Sequence, residues 1–398
     1  MEQYKYLIVG GGMAGDSAIK GIRKVDSKGR ICIICAEADP PYDRPPLTKA
    51  LWTGKKSLKA IWRKTPKRRV DLHLSCVAQK IDPSKKLVYD DKGDVYQYEK
   101  LLLTTGGTPR HLPNDLPEIM YYRTVEDYRK LRKLAEESIE FCVIGGGFIG
   151  SEIAAALTME HKSVTMIFPE SGICGRVFPE KLSHFLSSFY SKKGVKILPN
   201  TSVSSMEKRN DGIHVHIGVG QDLRFGAVIA GLGITPNTEL AQNAGLKVEN
   251  GIVVDRFLRT SDPDIFAAGD VANFENPHLN KRLRVEHEDN ANVMGERAGR
   301  NMAGDLMMYD HLPFFYSDLF ELGYEAVGEL DSRLQTVVDW KEEFREGVLY
   351  YMDQGRIRGV LLWNVWDQVD SARELIAKKK VYKPNDLISL LPKPQLDA

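Results

Sequence analysis

Two glycine-rich turns constrain the fold of this chain more than any other feature of its sequence. Each follows a short apolar run, residues 6–9 in the first case and 141–144 in the second, and each has the spacing G-x-G-x-x-G. In dinucleotide-binding folds the first glycine allows a tight strand-to-helix turn, the second admits the pyrophosphate, and the third lets the helix pack on the strand. The glycines concerned are Gly10, Gly12 and Gly15, and Gly145, Gly147 and Gly150. One such turn is a weak signal, but two predict two bound dinucleotides with electrons passing between them.

An acidic residue follows each glycine turn at the distance expected for a nucleotide ribose. Such an acid lies roughly 20 residues beyond the last glycine, at the end of the next strand, and accepts hydrogen bonds from ribose hydroxyls. After the first turn that strand is predicted to end at Glu37, and after the second turn at Glu170. A carboxylate at Glu170 would repel a 2′-phosphate, so the sequence predicts NADH rather than NADPH. The nearby cation Arg176 would weaken that preference.

A proline-rich segment after Glu37 carries two cations, Arg44 and Lys49. Its prolines keep the chain extended, which would hold both cations at the carboxyl end of the sheet, where ligands of α/β folds bind. A cation near a flavin would stabilise the anionic reduced ring. The alternative, two ordinary surface cations, stays open on this segment alone. Glu152 has a similar alternative, because it lies early in a predicted helix, where the helix dipole by itself favours a carboxylate.

The balance of charges limits the partners of the chain. With 55 Lys and Arg against 54 Asp and Glu, the net charge is +1, so neither a nucleic acid nor an anionic membrane is demanded. The basic runs at 63–69 and 378–380 are therefore predicted to be solvent-exposed.

No apolar run reaches the length of about 18 residues that a membrane span needs. The first strand is predicted to begin by residue 4, which leaves no room for a signal or transit peptide, and we expect a cytoplasmic protein.

The five cysteines are too few and too scattered for a secreted disulfide framework. Cys32 and Cys35 have the C-x-x-C spacing of a redox pair, but their apolar surroundings are typical of a buried strand. Side chains three apart on a strand point to opposite faces, whereas thioredoxin-type pairs lie at a helix N-terminus. A structural role is predicted for both, and also for Cys142. No metal site is predicted.

A larger set of motifs resembles the FAD-dependent pyridine-nucleotide oxidoreductase family. The two glycine turns, Thr-Gly-Gly at 105–107 and Ala-Ala-Gly-Asp at 267–270 follow the order of that family, in which the residue matching Asp270 binds the ribityl chain of FAD. More specific motifs resemble the apoptosis-inducing factor branch and its bacterial-type relatives. These motifs lie at 41–49, 145–152, 168–170, 284–287, 317–319 and 323–326, and the likeness extends from about residue 4 to about residue 375.

The resemblance implies roles for individual residues. In the family, the residues matching Lys49 and Glu152 form an ion pair beside the flavin. The residue matching Phe148 lies at the nicotinamide channel, and the one matching His287 lies by the isoalloxazine ring. These four are the predicted catalytic residues. Tyr316 stands where the mammalian form has a tryptophan by the flavin, so the stacking contact of that form is in doubt here.

The glycine spacing and the resemblance together define two predicted cofactor sites, one for FAD and one for NADH. The residues predicted to contact FAD are Gly10, Gly12, Met13, Ala14, Gly15, Glu37, Arg44, Lys49, Thr105, Gly106, Arg110, Gly269, Asp270, Glu286, His287 and Tyr316. The residues predicted to contact NAD, with Glu170 and Arg176 at its adenosine half, are Gly145, Gly147, Phe148, Ile149, Gly150, Glu152, Glu170, Arg176 and Gly231.

The predicted fold class is α/β, with two Rossmann-like dinucleotide-binding domains of the glutathione-reductase-like type and a C-terminal α+β domain. The FAD domain is expected at 1–115 and 243–312, the NADH domain at 116–242, and the C-terminal domain at 313–398. An antiparallel hairpin is expected at 205–224. The C-terminal domain is expected to hold strands near 324–327, 347–352 and 357–363 and a helix from about 369 to 380. In the family such a domain covers the flavin and forms a partner or dimer surface, and Trp363 and Trp366 are expected in its core.

The predicted function is that of an FAD-dependent NADH oxidoreductase. Hydride passes from NADH to flavin N5, and electrons leave for an unidentified external acceptor: a quinone, oxygen or a small redox protein. Disulfide reduction is disfavoured, because residues 42–52, where disulfide reductases place their cysteine pair, contain no cysteine. The mammalian form has a long inserted loop between its last strands, and this chain has only residues 340–347 there. An order–disorder switch of that loop is therefore not expected. A role in death signalling is not inferred from the resemblance.

Two alternatives to this function stay open. Ferredoxin and rubredoxin reductases share most motifs up to Asp270, although His287 and Ser317 favour the first branch. The other alternative is a slow redox switch, in which reduction by NADH stabilises a charge-transfer complex and a homodimer, and the output is partner binding.

Overall fold

The computed structural model describes residues 2–113, 115–218 and 220–391. They divide into two compact units. The first unit holds the described residues up to Arg44 together with Ser57–Thr108 and Thr235–Pro313. The second holds Pro45–Lys56, Pro109–Ile234 and the described residues from Phe314 onward. The division into three domains stays a prediction, and the final residues assigned to the C-terminal domain, 392–398, lie outside the described residues.

The strands and α-helices have the following bounds in chain order. The strands are β1 Glu2–Val9, β2 Ile31–Ile34, β3 Asp71–His73, β4 Ala78–Asp82, β5 Leu87–Asp90, β6 Val95–Leu103, β7 Gly107–Pro109, β8 Ile119–Tyr121, β9 Glu140–Ile144, β10 Ser163–Ile167, β11 Lys196–Leu198, β12 Val203–Arg209, β13 Gly212–Ile217, β14 Gln221–Phe225, β15 Ala227–Ala230, β16 Ile234–Pro236, β17 Ile252–Val253, β18 Ile265–Ala267, β19 Ala272–Asn276, β20 Lys281–Leu283, β21 Phe314–Leu319, β22 Leu322–Gly328, β23 Gln335–Glu342, β24 Glu346–Asp353 and β25 Arg356–Trp363. The helices are α1 Met13–Val25, α2 Val125–Glu137, α3 Phe148–Met159, α4 Glu180–Lys192, α5 Glu239–Asn243, α6 Glu288–Met302 and α7 Val369–Ala377.

The first unit is built on a seven-stranded sheet in the order β3-β2-β1-β6-β5-β4, with β18 also paired to β6. Strands β3, β2, β1, β6 and β18 are parallel neighbours, and β5 and β4 continue the sheet antiparallel. The second half of β1 is buried without interruption, as expected for a parallel strand covered on both faces. Helix α1 packs so closely on α6 that a Cβ at Gly299 would lie 2.0 Å from the Ala18 carbonyl oxygen.

The second unit contains an all-parallel sheet in the order β11-β10-β9-β15-β8. Helix α3 leaves the end of β9, which repeats the β1-to-α1 connection of the first unit. A separate antiparallel sheet, β12-β13-β14, lies between β11 and β15 along the chain. The hairpin predicted at 205–224 is therefore a three-stranded sheet.

The same unit ends in a five-stranded antiparallel sheet in the order β21-β22-β25-β24-β23, followed by α7. The three predicted strands correspond to β22, β24 and β25, whereas β21 and β23 were not predicted. The expectation for the two tryptophans is half right. Trp363 is fully buried and its indole N–H donates to the Phe344 carbonyl at 2.9 Å, but 47% of Trp366 is exposed.

Two expectations about segment ends and exposure are corrected by the structure. Strand β2 ends at Ile34, so Glu37 lies in the loop beyond the strand and not at its last residue. The basic run at 63–69 is not a solvent-exposed face throughout, because the side chain of Arg63 is only 8% exposed and it pairs with acidic groups. No helix in the described part of the chain is both long and apolar enough to cross a membrane.

Candidate dinucleotide-binding sites

The first glycine turn joins β1 to α1. Each of its three motif glycines meets a different geometric requirement of the turn. Gly10 has φ +119°, and a Cβ there would lie 2.1 Å from the Thr104 carbonyl oxygen. A Cβ at Gly15 would lie 2.3 Å from the carbonyl oxygen of Gly10. At Gly12 nothing described lies within 4 Å of an added Cβ, so this position opens onto free space. The open space at Gly12 lies directly over the start of α1.

That start of α1 is able to bind an anion. Gly12 is the N-cap, and the described residues supply no side-chain hydrogen bond to cap it. The first backbone N–H groups of a helix carry partial positive charge and need acceptors. A phosphate supplies such acceptors, and dinucleotide folds bind the pyrophosphate in this way. The residues present therefore fit the pyrophosphate of FAD, and Met13 and Ala14 form the first turn that would face it.

The second glycine turn, between β9 and α3, repeats this geometry. Gly145 has φ +108° and a Cβ there would lie 2.4 Å from the Gly231 carbonyl oxygen. A Cβ at Gly150 would lie 2.0 Å from the carbonyl oxygen of Gly145, whereas nothing described lies within 4 Å of one at Gly147. The predicted NAD residue Gly231 thus packs against the turn itself. The second helix start is open in the same way as the first.

Glu37 and Arg44, both predicted to contact FAD, are brought together in the loop after β2. The Arg44 guanidinium forms an ion pair with the Glu37 carboxylate. Tyr42 donates its hydroxyl to Glu37 at 2.5 Å, and the Arg44 guanidinium lies 5.0 Å from the Tyr42 ring centroid. This network fixes the orientation of an acid that lies at the position expected for ribose binding.

Asp270 lies just after β18, in a short 3₁₀ helix spanning Gly269–Val271. The Arg284 guanidinium donates to the Asp270 backbone carbonyl at 3.0 Å and forms an ion pair with Glu286 at 2.7 Å. His287 is the N-cap of α6. Arg284 thus connects two predicted FAD residues, Asp270 and Glu286, and the third, His287, follows Glu286 in sequence. Arg284 was not predicted as a site residue, although the motif that contains Glu286 and His287 begins with it.

The other predicted FAD residues are divided between the two units. Thr105 donates its hydroxyl to the Asn237 carbonyl at 2.7 Å, and the Gly106 carbonyl accepts from the Asn237 N–H at 3.0 Å. Arg110 belongs to the second unit, where its Nε donates to the Ile234 carbonyl at 3.2 Å. Lys49 and Tyr316 belong to the second unit as well.

The predicted ion pair between Lys49 and Glu152 is present in the second unit. The Lys49 ammonium lies 2.7 Å from Glu152 Oε1, and the two side chains are only 11% and 4% exposed. Two hydroxyls complete the shell, because Ser317 donates to Oε1 at 2.6 Å and Thr48 donates to Oε2 at 2.5 Å. A buried carboxylate is tolerated when it is paired and fully hydrogen-bonded. Thr48 and Ser317 were not predicted to be ligands of this carboxylate.

The segment that carries Lys49 is held firmly within the second unit. The Leu47 carbonyl accepts two hydrogen bonds, one from the Trp52 indole at 2.8 Å and one from the Tyr122 hydroxyl at 2.5 Å. The Trp52 ring contacts Tyr128 edge-on, and the Arg132 guanidinium lies 4.9 Å from the Trp52 ring centroid. These contacts fix the chain on both sides of Lys49.

Aromatic rings surround the start of α3. Phe148 is the first residue of that helix, and its ring lies 5.0 Å from Phe315 and 6.5 Å from Tyr324. The neighbouring Ile149 is 40% exposed. The Tyr316 ring lies 5.2 Å from the Lys49 ammonium. Phe148 and Tyr316 therefore lie on the elements α3 and β21, which also carry Glu152 and Ser317.

Glu170 lies beyond the end of β10, and its carboxylate forms an ion pair with Arg176 at 2.6 Å. The Arg176 side chain is 78% exposed, whereas that of Glu170 is only 21% exposed. The backbone at Arg176 is anchored, because its carbonyl accepts from the Ser332 N–H at 3.1 Å. The two residues predicted to contact the NAD adenosine half are therefore adjacent.

The five cysteines are free and buried. Burial raises the pKa of the Cys35 thiol and of the Cys174 thiol to about 12, and that of Cys76 to about 11. Burial also raises the pKa of Cys32 and Cys142. These thiols lack the depressed pKa of reactive cysteines, which agrees with the structural role predicted for Cys32 and Cys35.

Metal-ligand atoms converge at one place in the described residues, where Cys76, Asp90 and Asp91 lie within 4.8 Å of one another. Asp90 Oδ2 accepts from the Cys76 thiol and the Tyr96 hydroxyl, both at 2.9 Å. Asp90 Oδ1 accepts from two backbone N–H groups of the following turn. The carboxylate therefore already has partners from the chain.

In each unit a strand with parallel neighbours runs through an open glycine turn into a helix, an arrangement typical of dinucleotide-binding proteins. Comparison with known proteins identifies the family. Residues 4–295 match the family model described as pyridine nucleotide-disulphide oxidoreductase. Residues 298–341 and 338–378 match the C-terminal domain model of the mitochondrion-associated apoptosis-inducing factor. The chain belongs to the pyridine nucleotide-disulphide oxidoreductase family of FAD-dependent NAD(P)H oxidoreductases.

Individual relatives agree with this assignment. The chain is 34% identical to mitochondrial apoptosis-inducing factor 1 of Dictyostelium discoideum, over 96% of this chain and 79% of that protein. It is 33% identical to monodehydroascorbate reductase 3 of Arabidopsis thaliana, over 91% and 89% of the two chains. Among solved structures, putidaredoxin reductase in its covalent complex with putidaredoxin superposes with a TM-score of 0.90 at 29% identity, covering 96% of this chain and 95% of that chain. The predicted fold class and the predicted resemblance are confirmed.

Proposed function

We propose that this protein is an NADH-dependent flavoprotein reductase that passes electrons to an acceptor outside its own chain. The observation that carries the proposal is the matched geometry of the two glycine turns, each strained at its first glycine and open at its second. We assign the turn at Gly12 to FAD and the turn at Gly147 to NADH. In this assignment the FAD domain is 1–115 with 243–312, the NADH domain is 116–242, and the C-terminal domain begins at 313.

When bound, FAD supplies a ring that accepts a hydride at N5 and then gives up its electrons. The chain's own residues bind and orient the reactants. The helix starts at Gly12 and Gly147 would donate backbone N–H groups to the two pyrophosphates. Lys49 contributes a fixed positive charge, which would stabilise negative charge on a reduced ring. Glu152, whose carboxylate accepts from the hydroxyls of Thr48 and Ser317, holds that ammonium in one position, so little free energy is needed to order it during the reaction.

The preference for NADH rests on Glu170. Its carboxylate would accept hydrogen bonds from an adenosine ribose and repel a 2′-phosphate. Arg176 neutralises part of this charge at 2.6 Å, but its 78% exposure means that water screens much of its effect. We therefore expect NADH to be preferred, although not with absolute selectivity.

The acceptor is proposed to be external because the segment 42–52 contains no cysteine and the described thiols are buried with raised pKa. The relative that superposes at a TM-score of 0.90 is a reductase complexed with putidaredoxin, which supports a small redox protein as one class of acceptor. Quinones and oxygen are the other classes to be compared.

The function is tested by reducing the purified protein with NADH under anaerobic conditions and then mixing it with each acceptor. The panel contains a quinone, ferricyanide, oxygen, a ferredoxin and a rubredoxin, and we expect turnover with at least one. If all are slow while a long-wavelength charge-transfer band persists and the mass rises to that of a dimer, a redox switch replaces the reductase. A colourless protein that takes up no FAD contradicts both functions.

Nucleotide preference is tested by measuring kcat/KM for NADH and NADPH. We expect Glu170→Ala to lower the ratio of kcat/KM for NADH to kcat/KM for NADPH by roughly tenfold or more, since a charged hydrogen-bond partner of the ribose is worth about 1.5–3 kcal/mol. Glu343→Ala removes an equally charged exposed side chain in the β23–β24 turn and should leave the ratio unchanged. An unchanged ratio in the Glu170 variant would remove the proposed role of this residue.

A further inference from the structure

The basic run at 63–69 contains a buried guanidinium that connects three parts of the first unit. Arg63 is 8% exposed. Its Nε donates to Asp43 Oδ1 at 2.8 Å, and its Nη2 donates to Asn292 Oδ1 on α6 at 2.8 Å. Its Nη1 lies 3.2 Å from each of three acceptors in the first turns of α1, the Met13 carbonyl, Asp16 Oδ2 and Ser17 Oγ. A side chain with this many fixed partners is not a solvated surface cation.

The central partner of Arg63 is Asp16, a completely buried carboxylate in the first turn of α1. Its Oδ1 accepts from the Thr65 hydroxyl at 2.5 Å and pairs with the Arg68 guanidinium. Its Oδ2 pairs with Arg63, and with Lys20 at 3.3 Å. Two guanidinium groups from a single basic run therefore converge on one buried acid.

The position of this acid matters because α1 starts at the open glycine turn. A helix N-terminus attracts a phosphate through its first N–H groups and its dipole. A buried negative charge in the first turn of that helix would oppose the attraction, and charges interact more strongly in the interior than in water. Unless a cation cancels it, Asp16 would lower the affinity of the turn for a pyrophosphate.

We propose that Arg63 is a positioning residue of the FAD site, which cancels the charge of Asp16 beneath the glycine turn and so leaves the start of α1 free to bind the pyrophosphate. Arg68 supplies the second cation of the same cluster. The inference rests on the proposed assignment of FAD to the first turn. It adds a residue that lies about 50 positions beyond the motif in sequence and that no glycine spacing indicates.

The test measures the affinity of the apoprotein for FAD in four variants. We expect Arg63→Gln to weaken FAD binding by roughly tenfold or more, because it removes one of the two guanidinium groups that offset the buried charge of Asp16. The double variant Asp16→Asn with Arg63→Gln should recover most of that loss, since the opposing charge is then absent as well. Lys20→Gln removes one cation from the same carboxylate at a 39% exposed position and should change the affinity by less than about threefold.

Recovery of FAD affinity in the double variant distinguishes an electrostatic role of Arg63 from a merely structural one. If Arg63 only holds segments together, the double variant binds FAD as weakly as the single one, and the proposal is overturned. If Arg63→Gln does not fold, Asp16→Asn is compared with the double variant: affinities within about threefold support the proposal and a gap of tenfold or more overturns it. Failure of the wild-type protein to bind FAD would instead contradict the proposed function. Equal binding by wild type and Arg63→Gln overturns this inference alone.

Discussion

The ammonium of Lys49 lies 2.7 Å from the carboxylate of Glu152, and both side chains are almost completely removed from solvent. Neither charge can therefore be hydrated well if the other is lost. The hydroxyls of Thr48 and Ser317 also donate to Glu152, so that with the Lys49 ammonium three donors meet one carboxylate. This arrangement fixes the position of a positive charge at a cost in desolvation, which is typical of a group kept for a chemical role.

Removal of Glu152 should destabilise the second unit strongly. Glu152→Ala leaves Lys49 buried without its partner, and we expect the free energy of unfolding to fall by about 3 kcal/mol or more. Glu152→Gln should cost less, because the amide oxygen still accepts from a hydroxyl. Both are measured by urea unfolding of the apoprotein. The control is Glu321→Ala, which breaks the exposed pair with Lys193 and should cost less than about 1 kcal/mol.

Alanine should have different effects at the second and third glycines of the turn that we assign to NADH. Gly147→Ala adds a Cβ to open space and should change the unfolding free energy of the apoprotein by no more than about 1 kcal/mol. It should nevertheless weaken NADH binding at least roughly tenfold, because the methyl group occupies the phosphate approach. Gly150→Ala places a Cβ 2.0 Å from the Gly145 carbonyl and should cost about 2 kcal/mol or more of stability. A fluorescence titration with NADH and urea unfolding distinguish the two effects; equal stability losses would contradict the geometry.

The thiols should be inert in the folded protein. Burial raises the pKa of Cys35 and Cys174 to about 12, so few thiolates exist at pH 8. We expect slow reaction with a thiol reagent in buffer and reaction of all five cysteines after denaturation in urea. Reduction with NADH should release no new thiols. A rapid reaction of Cys32 and Cys35 in the native protein would instead indicate a redox pair.

His214 should make the β12-β13-β14 sheet more stable at mildly acidic pH. Its two ring nitrogens lie 3.0 Å from Asp211 and 3.0 Å from Asp222, and these hydrogen bonds raise the pKa of His214 above its usual value of about 6.5. Because the folded state holds the proton more tightly, the stabilisation is fully present below the unfolded pKa and is lost as the pH rises through the folded pKa.

This prediction is checked by an NMR titration of the His214 ring and by thermal unfolding of the wild type and of His214→Gln. Both measurements run from about pH 5.5 to about pH 8.5, because this range includes the ordinary histidine pKa of about 6.5. The wild type should lose stability relative to the variant across this range. Asp222→Asn should lower the titration midpoint of His214. A midpoint below 6.5 in the wild type would show that the carboxylates do not act as described.

The parts of the site that sequence predicts are those with local causes. The glycine turns are recognisable because strand, turn and helix follow one another within a few residues, and the strained angles at Gly10 and Gly145 are needed wherever such a turn occurs. The Lys49–Glu152 pair is different, because it was implied by family resemblance alone. Neither residue carries a local signal that separates it from a surface charge.

The parts that sequence did not predict depend on distant partners or weak patterns. Arg63 looked like one cation of a basic run, because its partner Asn292 lies 229 residues away. Strands β21 and β23 were missed for another reason. They are the two edge strands of the C-terminal sheet, and no residue of β23 is fully buried. Edge strands need less apolar sequence than central ones, so their alternation is weak.

The shell around Glu152 also bears on the order in which the chain folds during synthesis. Thr48 precedes Glu152 by 104 residues and Ser317 follows it by 165. Until residue 317 has been made, the Glu152 carboxylate lacks the Ser317 hydroxyl as a donor. The carboxylate therefore gains its full set of donors only when β21 is present. The last strands complete the interior of a region whose backbone was made much earlier.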